Sequence, residues 1–129
     1  MKKRYTGINI QFPISQLILT GRKNIETRKY PIPEGYIGNP MVIIETPGPT
    51  GEFKARMIGL VTFGKSFQYQ SADAFYKDSD KHCVTPDSVW KWKDGEKKFG
   101  WPVLEVEKFK KSLPLQKRAG IKFSKDIRI

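Results

Sequence analysis

The run richest in reactive side chains is Gly21-Arg22-Lys23-Asn24-Ile25-Glu26-Thr27-Arg28. It puts an amine, a carboxylate and a guanidinium in one short stretch. If Asn24 to Tyr30 is a strand, Asn24, Glu26 and Arg28 share one face and Ile25 and Thr27 the other. Lys23 then lies in the turn before it. Such a cluster can grip a polar or anionic ligand. Lys23 and Arg28 would hold a phosphate or a base carbonyl. Glu26 would orient one of them or accept from an exocyclic amine. The bland alternative is a solvated face with a weak ion pair, the commonest fate of such spacing. A third use is catalytic: an amine beside Arg28 in a partly closed cleft can act as base or nucleophile. Glu26 opposes this by keeping the amine charged, so the spacing suits binding better than proton abstraction. Lys23 is a catalytic candidate only if the chain is an enzyme.

The elements that must position these groups follow from local pattern. Tyr5 to Phe12 alternates Ile8 and Ile10 with Asn9 and Gln11, which predicts a strand. Gln11 at its end is a candidate to read a base edge. Pro13 suits the first turn of a short helix to Thr20, with Ile14, Leu17 and Ile18 as its apolar stripe. Gly21 falls where that helix needs a left-handed stop, a conformation glycine adopts without steric cost. On this reading Gly21→Ala is the costly change for stability and Lys23→Ala a nearly neutral one.

The pattern Ile10-Gln11-Phe12-Pro13 … Leu17-Ile18 … Gly21-Arg22-Lys23 … Glu26-Thr27-Arg28 resembles the opening of an ASCH domain, a family of the PUA-like superfamily. Members read roughly I-x-Q-P-W-A-x-L-I-x-x-G-x-K-x-x-E-x-R. Phe12 is inserted here between Gln11 and Pro13, and Ile14 stands where the family carries tryptophan. Weaker matches are Gly35 to Gly38, Gly59-Leu60-Val61, and Lys117 to Phe123. The resemblance spans most of the chain. It implies a PUA-like barrel and an RNA-binding cleft beside the motif. Some small relatives are amidohydrolases that remove an acyl group from a modified cytidine. Their pattern has Lys at the position of Lys23 but Thr at the position of Glu26, and Thr27 is one residue off. Other relatives are RNA-cleaving or RNA-binding.

Further along, Met41 to Thr46 predicts a buried strand and Lys54 to Phe67 a long one. Gly59 and Gly64 inside the latter suggest bulges or barrel corners. Ser71 is placed to cap a helix to Lys77. Residues 78 to 98 read as a long connection. Its Trp90 and Trp92 either cover the core or stack on a base. His82 and Cys83 are adjacent, so they do not face each other, and His82 reads as an ordinary loop residue. Trp101, between Gly100 and Pro102, is a candidate stacking platform. Val103 to Phe109 and Ile121 to Ile129 predict the last strands. The fold class expected is α+β: a small PUA-like barrel of about five to six mixed strands with two or three short helices.

Composition sets the bounds. The 129 residues suit one domain, able to bury roughly two-thirds of its extended surface. A single Cys83 excludes an internal disulfide and, with one histidine, argues against a zinc site. No cofactor motif is present. No apolar run reaches the roughly 20 residues of a membrane span, and a cytoplasmic location is expected. The net charge is +11. Residues 108 to 129 hold eight cationic side chains, Lys117 and Arg118 among them, against Asp126 alone. That asymmetry favours a polyanionic partner, with Lys117 and Arg118 tracking a nucleic-acid backbone.

The function expected is therefore binding of RNA, single-stranded nucleic acid or a nucleotide-like small molecule. Gln11, Lys23, Glu26, Arg28, Trp101, Lys117 and Arg118 would form the site, with no metal. The alternatives are a hydrolase acting on RNA or a modified nucleoside through Lys23, and a protein-interaction module.

Overall fold

A computed structural model describes residues 3–48, 53–115 and 122–129. Among the described residues, seven strands form one mixed sheet: β1 (Arg4–Gln11), β2 (Ile25–Arg28), β3 (Met41–Thr46), β4 (Arg56–Phe63), β5 (Phe67–Gln68), β6 (Phe99–Pro114) and β7 (Phe123–Arg128). Three short α-helices of the described residues accompany it: α1 (Ile14–Leu19), α2 (Ala72–Lys77) and α3 (Ser79–His82). The strand order is β2-β6-β4-β3-β1-β7, with β5 also paired to β6. Only β1 and β3 run parallel among the described pairs. The sheet curls into a half-barrel, the α+β barrel architecture expected from the sequence.

The centre of the sheet is β3, and its sequence Met-Val-Ile-Ile explains why. A strand covered on both faces needs apolar residues at successive positions rather than at alternate ones. Met41 and Ile43 face a cluster with Ile8, Ile10, Ile58, Val61, Phe63 and Trp101. Val42 and Ile44 face a smaller one with Met57 and Ile127. Gly59 marks a register shift between β4 and β6. A methyl group there would collide with the carbonyl of Glu107 and crowd Leu19, so the bulge needs the missing side chain.

Several boundaries differ from expectation. The predicted strand from Lys54 to Phe67 is two strands, β4 and the two-residue β5, which raises the count to seven. Gly64 breaks the run; its N–H bonds to Pro102 O at 2.9 Å. The last long strand, expected over Val103 to Phe109, extends from Phe99 to Pro114. Its lysines and glutamates concealed it, because nearly every residue of its second half is exposed while the backbone pairs with β4. The connection from 78 to 98 contains helix α3. Ser71 does cap α2, its Oγ accepting from Ala74 N at 3.1 Å.

Candidate functional site

The site begins where α1 ends. Gly21 has φ +82°, the left-handed stop, and donates its N–H to Ile18 O at 3.1 Å. Lys23 N–H then reaches back to Leu17 O at 2.9 Å, and Asn24 N–H bonds to Lys81 O at 2.9 Å. These bonds fasten the turn to α1 on one side and to α3 on the other. They aim the Lys23 side chain inward, where it is 3% exposed.

Lys23 Nζ donates to the backbone carbonyl of His82 at 2.5 Å and lies 3.5 Å from Glu26 Oε1. These are the contacts of an ammonium, with one carbonyl and one carboxylate as acceptors. Arg28 Nη2 donates to Glu26 Oε2 at 3.0 Å and to Asn9 O at 3.1 Å. Arg28 Nη1 lies 3.4 Å from the Tyr30 hydroxyl. Burial would push the Glu26 carboxyl up. Arg28 and Lys23 outweigh it and hold the group below its ordinary value, with help from the Thr27 N–H. The cluster thus has two cations against one ionised carboxylate, beside open space. The premise behind a nearly neutral Lys23→Ala, a lysine without buried contacts, does not hold, because the amine is buried and donates to a buried carbonyl. Gly21→Ala, in contrast, meets no steric wall: a Cβ there has nothing within 4 Å.

The open space is a cavity of about 390 Å³ whose wall includes Lys23, Glu26, Thr27 and Arg28. It falls at the small end of the range for small-molecule pockets. The end of β1, from Asn9 to Gln11, and Ile14 and Leu17 of α1 form further wall. The rest comes from far along the chain, from His82 to Val84 and from Ser88 and Trp90. Gln11, Lys23, Glu26 and Arg28 therefore line one and the same cavity. Thr27, expected on the opposite strand face, also contributes to this wall.

Trp101 does not belong to this surface. It is 0% exposed and packs in the main core, edge-on to Tyr30 and Phe63 with centroids at 5.6 and 5.5 Å. Its indole N–H donates to Tyr30 O at 3.1 Å. Opposite Glu26 in the β2–β6 ladder, it lies 5.7 Å beneath the Arg28 guanidinium and supports it. A ring with no exposed area cannot stack on a base. Lys117 and Arg118 lie outside the described residues.

Sequence reasoning misjudged the end of α3. His82 is fully buried, not an ordinary loop residue. Its Nδ1 accepts from Val84 N–H at 3.0 Å, which leaves Nε2 to donate to Phe75 O at 2.6 Å. Its ring stacks on Phe75 at 4.2 Å. Burial holds the imidazole below its ordinary value of 6.5, against the opposing pull of the Phe75 carbonyl. The neutral ring thereby props up the carbonyl that holds Lys23. No spacing signal joins residues 59 positions apart.

Among the described residues, no group of three or more His, Cys, Asp or Glu side chains is placed to hold a metal ion. No described helix is long and apolar enough to cross a membrane.

No protein-family model and no curated protein matches the chain in sequence. Solved structures do match in fold. The ASCH protein of Zymomonas mobilis aligns with TM-score 0.68 at 12% identity, covering 94% of this chain and 86% of that one. Crystal structures of two point mutants of the same protein align with TM-scores of 0.69 and 0.67 at 13% and 12% identity. They cover 95% and 94% of this chain and 90% and 87% of theirs. An identity this low speaks to architecture alone, and on that architecture the chain has an ASCH-like fold.

Proposed function

We propose that this chain binds RNA, or a nucleotide-like ligand, by taking one nucleotide unit into the cavity beside Gly21–Arg28. The observation that carries this reading is the surplus cation that the described residues place at the cavity wall: Lys23 and Arg28 against Glu26. A buried cation with a donor left over favours a phosphate or a carbonyl oxygen. The apolar wall of Ile14, Leu17 and Val84 suits a ring. The chain's net charge of +11 would draw in the rest of a polyanion. Lys117 and Arg118, in the basic C-terminal stretch, are proposed to track its backbone.

Titration of a labelled single-stranded oligoribonucleotide and of free ribonucleotides tests this. With about four phosphates contacted, log affinity should fall against log salt with a slope of about −3. Lys117→Ala with Arg118→Ala should flatten that slope by about 1 to 2 units. Salt-independent binding would remove the electrostatic part. Turnover of an acylated cytidine that disappears in Lys23→Ala would replace this reading with a hydrolase. The Glu26 carboxylate opposes that outcome, since it stabilises the charged amine that hydrolysis would need neutral.

A further inference from the structure

Two tryptophans two positions apart in the segment after α3 have opposite surroundings. Trp92 turns inward against Phe75, with ring centroids at 5.7 Å. Its backbone N–H bonds to the Tyr76 hydroxyl at 3.0 Å, and its indole N–H reaches Asp94 Oδ1 at 3.3 Å. Trp90 turns outward. It is 44% exposed and borders the same cavity as Lys23, Glu26 and Arg28. Other exposed aromatic rings lean on a neighbour: Phe12 on Phe53 at 5.8 Å, Phe67 on Tyr69 at 4.9 Å. Trp90 makes no such ring contact among the described residues. An indole left open beside a cation-lined cavity offers a large, stiff π face at low entropic cost.

The backbone under Trp90 is held firmly. Its N–H bonds to Ser88 Oγ at 3.0 Å. Its carbonyl accepts from Lys98 Nζ at 2.8 Å. Lys98 is 5% exposed, and its ammonium lies 5.9 Å over the Phe75 ring. Burial pushes this ammonium below the ordinary lysine value, against the pull of Glu96. Burying a lysine is costly unless its donors are satisfied. Here the bond goes to the residue that carries the open indole.

We infer that Trp90 is the stacking wall of the cavity, on which the base of a bound nucleotide lies flat, and that Lys98 is the positioning residue that holds it there. This rests on the nucleotide-binding reading above. It adds the aromatic group that a charged cluster alone lacks. The cations would hold phosphate or carbonyl oxygens and the indole the ring face. Recognition of this kind tolerates any base, because every base has a π face.

The test uses the full chain and a fluorescein-labelled single-stranded oligoribonucleotide of mixed sequence, with intrinsic tryptophan emission as second readout. Trp90→Ala should weaken binding about ten- to hundredfold, the usual range for loss of one stacked base. Trp90→Phe should retain most of the affinity. The quenching seen when unlabelled oligoribonucleotide binds should vanish in Trp90→Phe, since Trp92 and Trp101 are turned away. Lys98→Met should weaken binding alone but add nothing in the Trp90→Ala background, a coupling that general destabilisation would not produce. Unchanged affinity in a folded Trp90→Ala variant, with loss still seen in Lys23→Ala, overturns the stacking wall and leaves the nucleotide-binding reading standing. Additive effects of Lys98→Met and Trp90→Ala overturn the role of Lys98. If the wild-type chain binds no oligoribonucleotide and no ribonucleotide, both readings fall together.

Discussion

Glu26 and Glu45 are both buried carboxylates in contact with an arginine, yet they do different work. Glu45, 0% exposed on β3, accepts from Ser15 Oγ and Gln16 Nε2 at 2.7 Å each and from Arg56 Nε at 2.8 Å. Two of its partners are neutral groups of α1, so the carboxylate clips that helix to the sheet. Its cationic partner among the described residues, Arg56, has a side chain 39% exposed and is 4.3 Å from the Phe53 ring. Glu26 has two cationic partners, Lys23 at 3% and Arg28 at 16% side-chain exposure, and an open cavity beside them. Neither side chain is open to solvent. What differs is whether charge is balanced by neutral donors on a packed helix or left in surplus beside empty space. The first arrangement is a lock; the second is the one proposed to take a ligand.

The largest effect that separates them concerns loss of the carboxylate. Glu26→Gln leaves two poorly solvated cations side by side and should cost about 3 to 5 kcal/mol of stability in urea unfolding. Glu45→Gln should cost less, about 1 to 3 kcal/mol, because the amide still accepts from Ser15 and Arg56 can turn to water. An equal or greater loss for Glu45→Gln would erase the distinction between the two clusters.

Ligand binding sharpens it. Lys23→Ala should lower stability by about 1 to 3 kcal/mol, since it strips the His82 carbonyl of its donor. It should also weaken oligoribonucleotide binding on the order of tenfold to a hundredfold, as expected for a charged hydrogen bond. Arg56→Ala should lower stability and leave affinity unchanged. A loss of affinity in Arg56→Ala would show that the lock also serves the site.

Acid should act on both clusters with the same sign. Each carboxyl is held below its ordinary value of 4.5 in the fold, Glu26 by Arg28 and Lys23, Glu45 by hydrogen bonds from Gln16, Ser15 and Arg56, in both cases against the opposing pull of burial. The unfolded chain therefore binds these protons first. The stability they contribute is present above 4.5 and is lost as pH falls through the folded values. Urea midpoints measured from neutral pH down to 3 should fall below about 4.5, and Glu26→Gln and Glu45→Gln should each flatten that fall. A profile unchanged in both variants would place the acid sensitivity elsewhere.

The smallest effect is at the helix stop. Gly21→Ala should cost roughly 1 kcal/mol, the penalty of a left-handed conformation in open space. It should cost less than Lys23→Ala in thermal melts, the reverse of the order that spacing alone suggests.

What the sequence determined by itself is what neighbours along the chain decide. The left-handed turn at Gly21 is local sterics. The Ser71 cap is a hydrogen bond across three residues. Glu26 and Arg28 meet because a strand repeats every two positions, and β3 is central because its apolar run leaves neither face for water. Tertiary structure decided everything that depends on distant partners. Lys23 is buried because strand and helix packing bring the His82 carbonyl to it. Trp101 became core rather than surface because β6 pairs it with Glu26 and places it between Tyr30 and Phe63. Trp90 reached the cavity, and Trp92 did not, because Lys98 and Tyr76 fasten the segment with one indole on each side. A charged or aromatic side chain has the same local pattern in either setting; its burial is fixed only when remote strands close around it.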